Sequence, residues 1–216
     1  MKAFFSYSNK DRLLAGKIKR EIESYGIDVF LAHDDIEPSA EWAEKIFKEL
    51  RACKVFIPLL TKSFYKSYWT GQETGIVFSL KKLIIPIKID KINPQGFISR
   101  FQALTMTETT LKRSCRKLIQ TIASDPKTAA PFRAALIQKF AGSDDFNNAG
   151  DNAELLVAYE GYTVKQVREI LRATKRNNQI YRSWKAQRIL KRFLAAYKQK
   201  STIGTRLIRE FKDAIA

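Results

Sequence analysis

The stretch KVFIPLLTKSFYKSYWTGQETGIVFSLKKLIIPIKI, residues 54–89, contains a complete strand–helix–strand pattern. Its two ends are short, mostly apolar runs, which are typical of strands buried on both faces of a sheet. The segment between them, 63–80, has helical periodicity, although Gly71 and Gly75 weaken it. The pattern therefore predicts two parallel strands joined by a helical crossover.

The same alternation extends on both sides of this stretch. It predicts strands at 3–7, 27–32, 54–60, 83–89 and 101–105, and helices at 11–26, 40–53, 63–80 and 110–124. This order favours an α/β fold, with a parallel five-stranded sheet covered on both faces. Pro58 and Pro86 count against central positions for their strands. The segments that follow the strands are polar, as expected for a binding edge at the carboxyl ends of the strands.

The pattern changes after SDPKTAAP, residues 124–131, where Pro126 and Pro131 limit helix continuation and indicate a hinge. Amphipathic helices are predicted beyond it at 132–142, 152–161, 163–177, 179–200 and 204–216, with Thr163 as an N-cap. We therefore expect an α/β domain over residues 1–125 and a small, basic, all-helical domain over residues 126–216.

The chain of 216 residues carries a net charge of +17. Residues 1–125 contain 21 Lys and Arg against 14 Asp and Glu, and residues 126–216 contain 18 against 8. The helical part is therefore the more basic per residue, and a polyanion partner such as nucleic acid is one interpretation. A solvated basic surface on a domain that oligomerises or senses a trigger is the favoured alternative.

Composition excludes several classes of site. The N-terminus becomes polar too early for a signal peptide, and no apolar run approaches the ~20 residues that span a bilayer. We expect a cytoplasmic protein without a membrane partner. Cys53 and Cys115 are distant in sequence and are predicted to be reduced thiols. With His33 as the single histidine, no zinc site of ordinary spacing and no Ser–His–Asp site is indicated.

Common nucleotide-binding motifs are absent as well. There is no G-x-G-x-x-G after the first strand and no G-x-x-x-x-G-K-[ST] anywhere. The third strand ends in IPLLTKS without the Asp that a phosphorylation receiver requires.

One carboxylate, Glu73, follows Trp69 and Tyr65 at four-residue intervals, so the three fall on one face of a helix. An acid beside an indole in a partly apolar pocket has a raised pKa, and an aromatic face stacks on a flat cationic ring such as nicotinamide. Spacing alone favours the simpler interpretation, a surface acid on a helix with core aromatics.

Several stretches resemble TIR (Toll/interleukin-1 receptor) domains, in the family's order and spacing. FFSYSNKD, residues 4–11, resembles their first strand motif, and VFLAHDDIEPSAEWAEKI, residues 29–46, is similar to their second strand, BB loop and next helix. LRACKVFIPLLTKSFYKSYWTGQE, residues 50–73, resembles the stretch that ends in their catalytic Glu, and 83–90 fits the fourth strand. The resemblance covers residues 1–125.

The resemblance implies a flavodoxin-like fold and, as in many members, cleavage of the N-glycosidic bond of NAD+. The family's catalytic Glu falls on Glu73 and its Trp on Trp69. Ser8 and Asn9 follow the first strand motif at positions that contact substrate, and the BB-loop acid falls on Glu37. The chain departs from the family at Thr70, in place of Cys, and at Ser39, in place of a loop-tip Gly.

The first functional hypothesis is accordingly an NAD+ glycohydrolase or ADP-ribosyl cyclase-like hydrolase. It would need no metal and no cofactor, since NAD+ is its substrate, and would release nicotinamide with ADP-ribose or a cyclic isomer. The family further implies a homo-oligomer formed through TIR contacts, a role in antiviral defence, and a separate effector protein activated by the product. The alternatives are a non-enzymatic TIR adaptor and a helical tail that binds nucleic acid.

Overall fold

A computed structural model of the chain describes residues 1–32, 42–89, 91–200 and 209. Their contacts group the residues into two compact units, Met1–Phe132 and Arg133–Ala216. No helix among the described residues is both long and apolar enough to cross a bilayer.

The first unit alternates strands and helices as predicted. Its strands are β1 (Lys2–Ser6), β2 (Asp28–Leu31), β3 (Val55–Leu60), β4 (Leu83–Ile84), β5 (Ile87–Lys88) and β6 (Leu104–Thr105). Its helices are α1 (Arg12–Glu23), α2 (Trp42–Ala52), α3 (Lys62–Tyr65), α4 (Tyr68–Ser79) and α5 (Leu111–Ser124), with short 3-10 helices at Asn9–Asp11 and Gly96–Ile98. Gly26, three residues after the end of α1, has a φ of 78°, a left-handed conformation that glycine adopts readily.

All strand pairs are parallel, in the order β2-β1-β3-β5-β6. The predicted α/β class and parallel sheet are confirmed. Phe4 of β1 is in register with Phe30 on one side and Phe56 on the other, and the rings lie 5.3 and 5.8 Å from that of Phe4. This row of rings is the centre of a buried cluster that includes Ile46 of α2 and Val77 of α4.

The two prolines lie opposite each other in the middle of the sheet. The predicted strand 83–89 is divided into β4 and β5, which pair with the two ends of β3 in the same register. Extending that register places Pro58 opposite Pro86, where the ladder is interrupted. Pro58 therefore lies in a central strand although it counted against that position, because the missing N–H groups fall where no bond is made.

The second unit is helical, in agreement with the sequence. Its helices are α7 (Phe146–Val157), α8 (Val164–Arg176), α9 (Asn178–Tyr181) and α10 (Trp184–Lys200), preceded by most of α6 (Ala129–Ala141). α10 packs along α7, and a Cβ on Gly150 would collide with the Lys185 side chain. The cap at Thr163 is confirmed: its hydroxyl oxygen accepts from the Gln166 N–H, and its own N–H donates to the side-chain oxygen of Gln166.

Two predictions for this part are only partly right. The break predicted over 124–131 is present at 125–128, but it does not extend to Pro131, which lies in the first turn of α6, where N–H groups have no helical acceptor. The predicted helix 179–200 is two helices, interrupted at Ser183, whose buried hydroxyl bonds the Phe146 carbonyl. The predicted helix 204–216 lies, except for Arg209, outside the described residues.

Candidate active site

Glu73 meets the end of the first strand at the carboxyl edge of the sheet. Ser6 is the last residue of β1, and Glu73 is in the second turn of α4. The Ser6 hydroxyl donates to Glu73 Oε2 over 2.5 Å, and the two residues are 0% and 3% exposed. The acid is therefore held inside the protein, not on its surface as the spacing alone favoured.

Burial raises the pKa of Glu73 from 4.5 to about 7, and the hydrogen bond from Ser6 opposes this rise. Burial dominates because it penalises the charged carboxylate. A carboxyl group with this pKa exchanges its proton near neutral pH, which is a property of acid–base residues in active sites.

This raised pKa has a consequence for stability. The unfolded chain loses the Glu73 proton near pH 4.5, and the folded chain loses it near pH 7. The contribution of Glu73 to the free energy of unfolding is therefore fully present below pH 4.5 and is lost as the pH rises to about 7. The loss is about 3 kcal/mol. The measurement is denaturant unfolding of wild type and Glu73→Gln at about pH 5 and pH 8. The free energy of unfolding of Glu73→Gln, relative to that of wild type, should be higher at pH 8 than at pH 5 by roughly this amount. An equal difference at the two pH values would contradict the assigned pKa.

The helix that carries Glu73 is shorter than predicted. The segment 63–80 is broken between α3 and α4, where Ser67 is extended, so Tyr65 is not on the same helix as Trp69 and Glu73. The Thr70 hydroxyl lies 2.6 Å from the Phe64 carbonyl and 2.9 Å from the Ser67 carbonyl. These contacts stabilise the turn between α3 and α4. Thr70, at the motif's Cys position, therefore shapes the start of α4.

Tyr65 has a different role from the one predicted. Its hydroxyl donates to the Asn93 carbonyl and accepts from the Gln95 N–H, so it anchors the segment after β5. A pocket of about 210 Å3 lies here, between the α3–α4 break and the 3-10 helix at Gly96–Ile98. Glu73 does not line this pocket, so the pocket and the Glu73 site occupy different faces of α4.

Trp69 lies one turn before Glu73 and is 38% exposed. Its ring meets that of Trp42, the first residue of α2, edge to face at 5.3 Å. Trp42 is partly buried and packs against the buried cluster. Its pairing with Trp69 was not predicted, because residues 27 positions apart show no pattern in a single sequence.

Two of the other predicted substrate contacts, Ser8 and Asn9, lie near this edge, just after β1 and Tyr7. Ser8 is 9% exposed and its carbonyl accepts from the Asp11 N–H, while Asn9 is exposed. Glu37 lies outside the described residues, as does Ser39.

Asp11, the last residue of the first strand motif, connects the segments that follow β1 and β3 at this edge of the sheet. Its carboxylate accepts from the Thr61 hydroxyl over 2.7 Å, and Thr61 in turn caps α3 by accepting from the Phe64 N–H. The ends of β1 and β3 are thereby joined next to the two helices that lead to Glu73.

Within the described ranges no group of three or more His, Cys, Asp or Glu side chains could hold a metal ion. Cys53 and Cys115 are free and buried, as predicted for reduced thiols, and burial raises their pKa to about 11 and about 12.

Comparison with known proteins relates the first unit to one family. A family model described as TIR domain matches residues 4–119. The TIR domain of the Toll-related receptor TRR-2 from Hydra magnipapillata is 21% identical, with 55% of this chain and 95% of that chain covered and a TM-score of 0.48. The CMP N-glycosidase BcmB from Clostridium botulinum is 16% identical, with 56% and 99% covered and a TM-score of 0.42. No curated protein sequence matches the chain.

Proposed function

This chain belongs to the TIR domain family, and we propose that it is an enzyme that cleaves the bond between nicotinamide and ribose in NAD+. The observation that carries the proposal is the buried Glu73 at the carboxyl edge of the sheet, bonded to Ser6 and one turn from the half-exposed Trp69. A single acid held in this way suits a reaction that needs one carboxylate and no metal.

The reaction breaks the C–N bond heterolytically. Its electron pair leaves with nicotinamide, which becomes neutral, and the ribose carbon acquires oxocarbenium character, as in glycoside hydrolysis. A carboxylate close to that carbon stabilises the positive charge. If water attacks, it loses a proton and the products are nicotinamide, ADP-ribose and H+. If an adenine or ribose atom of the same molecule attacks, the product is a cyclic isomer of ADP-ribose.

The hydrogen bond from Ser6 makes the two carboxylate oxygens of Glu73 inequivalent. Oε2 accepts from Ser6, and Oε1 has no hydrogen bond to any residue that the structure describes. We assign Oε1 to the ribose hydroxyls of NAD+, with Ser6 orienting the carboxylate through Oε2. Trp69 would offer its ring to the nicotinamide, held in place by the Trp42 ring. Ser8, Asn9 and Glu37 remain proposed contacts of the rest of the substrate.

The pH dependence of the reaction tests this assignment. Because the carboxylate is the active form, kcat/KM for nicotinamide release should rise with pH through about 7 and then level off. At pH 5 the rate should be about a hundredfold below the plateau. The measurement is chromatography of NAD+ incubated with concentrated protein between about pH 5 and 9.

Two other results are informative. A rate that is independent of pH over this range would show that ionisation of Glu73 does not control the reaction. If no nicotinamide is released at any pH, even with the protein concentrated to force assembly, the adaptor function becomes the better explanation.

The biological setting is also a proposal. TIR domains commonly self-associate, so we expect a homo-oligomer in which assembly controls the enzyme. Consumption of NAD+ would stall an infected cell, or a cyclic product would activate a separate effector protein in antiviral defence.

A further inference from the structure

The surface of α8, α9 and α10 is unusually rich in positive charge. Residues 164–200 include twelve Lys and Arg and one acidic residue, Glu169. Nine of the cations are exposed, and none of these nine forms an ion pair within the described part of the chain: Lys165, Arg168, Arg172, Lys175, Arg176, Arg182, Arg188, Lys191 and Arg192. Lys185 differs, because it pairs with Asp151 and Glu154 over 2.6 and 3.2 Å.

The cations of α8 form one outward stripe. They recur at intervals of three and four residues from Lys165 to Arg176, which places them on one face of the helix. The opposite face, with Val167, Ile170 and Leu171, is buried in the core of the helical unit. Five positive charges thus lie along this face at successive turns of the helix, with Lys175 and Arg176 in the same turn.

A groove runs beside this stripe. It has a volume of about 620 Å3, and is lined by Arg172 and Arg176 of α8 and by Gln138 of α6, among others. Asn177 closes one end, where its amide donates to the carbonyls of Ala141 and Ser143 over 3.0 and 2.7 Å. Two guanidinium groups therefore border the groove, whose lining also includes one carboxylate, that of Glu169, and apolar residues such as Ile137.

An exposed tryptophan lies on α10. Trp184 is 71% exposed, and the Arg188 guanidinium lies 4.7 Å from the centre of its ring. Arg188 and Lys191 follow four and seven residues after Trp184, on the same face of the helix. A large flat ring in solvent, flanked by cations, is the arrangement on which nucleic acid bases stack.

We propose that the helical unit binds single-stranded nucleic acid, with phosphates on the α8 stripe and its groove and a base on Trp184. An anionic membrane fits less well, because helices that lie in membranes insert their apolar face, and here those faces are buried: Val167 and Ile170 on α8, Ala186 and Leu190 on α10. This binding is independent of the proposed cleavage of NAD+.

The first test measures fluorescence anisotropy of labelled single-stranded DNA or RNA of about 30 nucleotides with the full chain, at about 50 to 200 mM salt. Wild-type affinity should fall steeply with salt. Arg172→Ala with Arg176→Ala should weaken binding by roughly tenfold and make the logarithmic salt slope shallower by about 1.4, for two lost phosphate contacts.

The matched control removes the same charge elsewhere. Arg113 and Arg116 are exposed on α5, and replacing both with Ala should change affinity less than about twofold. If the control weakens binding as much as the α8 variant, the effect is one of net charge and the proposal is overturned. Absence of binding at the lowest salt would also overturn it.

A second variant tests the stacking role. Trp184→Ala should weaken single-strand binding by about tenfold and binding of a duplex of equal length by less than about twofold, and Trp184→Phe should retain most of the affinity. Equal losses for both substrates would refute stacking. Tighter binding to vesicles of phosphatidylcholine and phosphatidylserine, or to polyglutamate, than to the oligonucleotide would favour a membrane or an acidic protein instead and overturn the proposal.

Discussion

Replacing Glu73 with glutamine is expected to reduce nicotinamide release from NAD+ by about a hundredfold or more, within the ~10²–10⁴-fold contribution of a positioned acid–base residue. Glutamine has almost the same shape and can accept the hydrogen bond from Ser6, so the fold should survive. What it cannot supply is the negative charge next to the developing cation. The measurement is chromatographic quantification of nicotinamide at about pH 8, where the wild-type carboxylate is ionised.

Glu21→Gln is the matched control, since Glu21 lies near the far end of α1 from the strand edge and should leave the rate unchanged. If Glu73→Gln retains wild-type activity, another residue performs the reaction and our assignment fails. If only Glu73→Gln is inactive and it still unfolds cooperatively, the loss is chemical and not structural. The second product, ADP-ribose or a cyclic isomer, distinguishes a hydrolase from a cyclase.

The largest expected effect on stability comes from Phe56→Ala, which should destabilise the first unit by about 3–5 kcal/mol. Phe56 is 0% exposed on the central strand β3, and its ring stacks on that of Phe4 at 5.8 Å. Truncation removes the end of the row of rings that spans three strands. A cavity would remain, because the strands on both sides hold their register.

The experiment is denaturant unfolding followed by tryptophan fluorescence in a Trp184→Phe background. The remaining tryptophans, Trp42 and Trp69, both belong to the first unit, so emission reports that unit alone. Phe97→Ala is the control, because Phe97 is 63% exposed and its loss should cost about 1 kcal/mol or less. Comparable losses for the two variants would mean that the Phe row does not form the core.

The fold of the first unit could be predicted from the sequence because its strands are short apolar runs between amphipathic helices. The local breaks within the predicted helix 63–80 and the predicted strand 83–89 could not. The interruption of 63–80 depends on the Thr70 hydroxyl and two carbonyls, and periodicity does not report such bonds. The interruption of the fourth strand depends on the register of Pro86 against Pro58, which exists only once the strands pair.

The candidate site was accessible in part. Glu73 and Trp69 were identified through a resemblance to the family, since spacing alone favoured a surface acid. Ser6 is part of the first strand motif, yet its contact with Glu73 joins residues 67 positions apart. The Thr163 cap was predictable because its chemistry is local. The early start of α7 was missed because its first two turns, FNNAGDN, show little apolar periodicity.

The basic stripe also affects the helical unit in the absence of any ligand. Like charges one turn apart repel, and this repulsion opposes folding. Dissolved salt screens charges over about 10 Å at 0.1 M and would therefore strengthen the fold of this unit, while the same salt weakens its attraction for phosphates. The helical unit is thus least stable in the dilute buffers in which it binds nucleic acid most tightly. A bound polyanion would neutralise the same charge repulsion that dissolved salt otherwise screens.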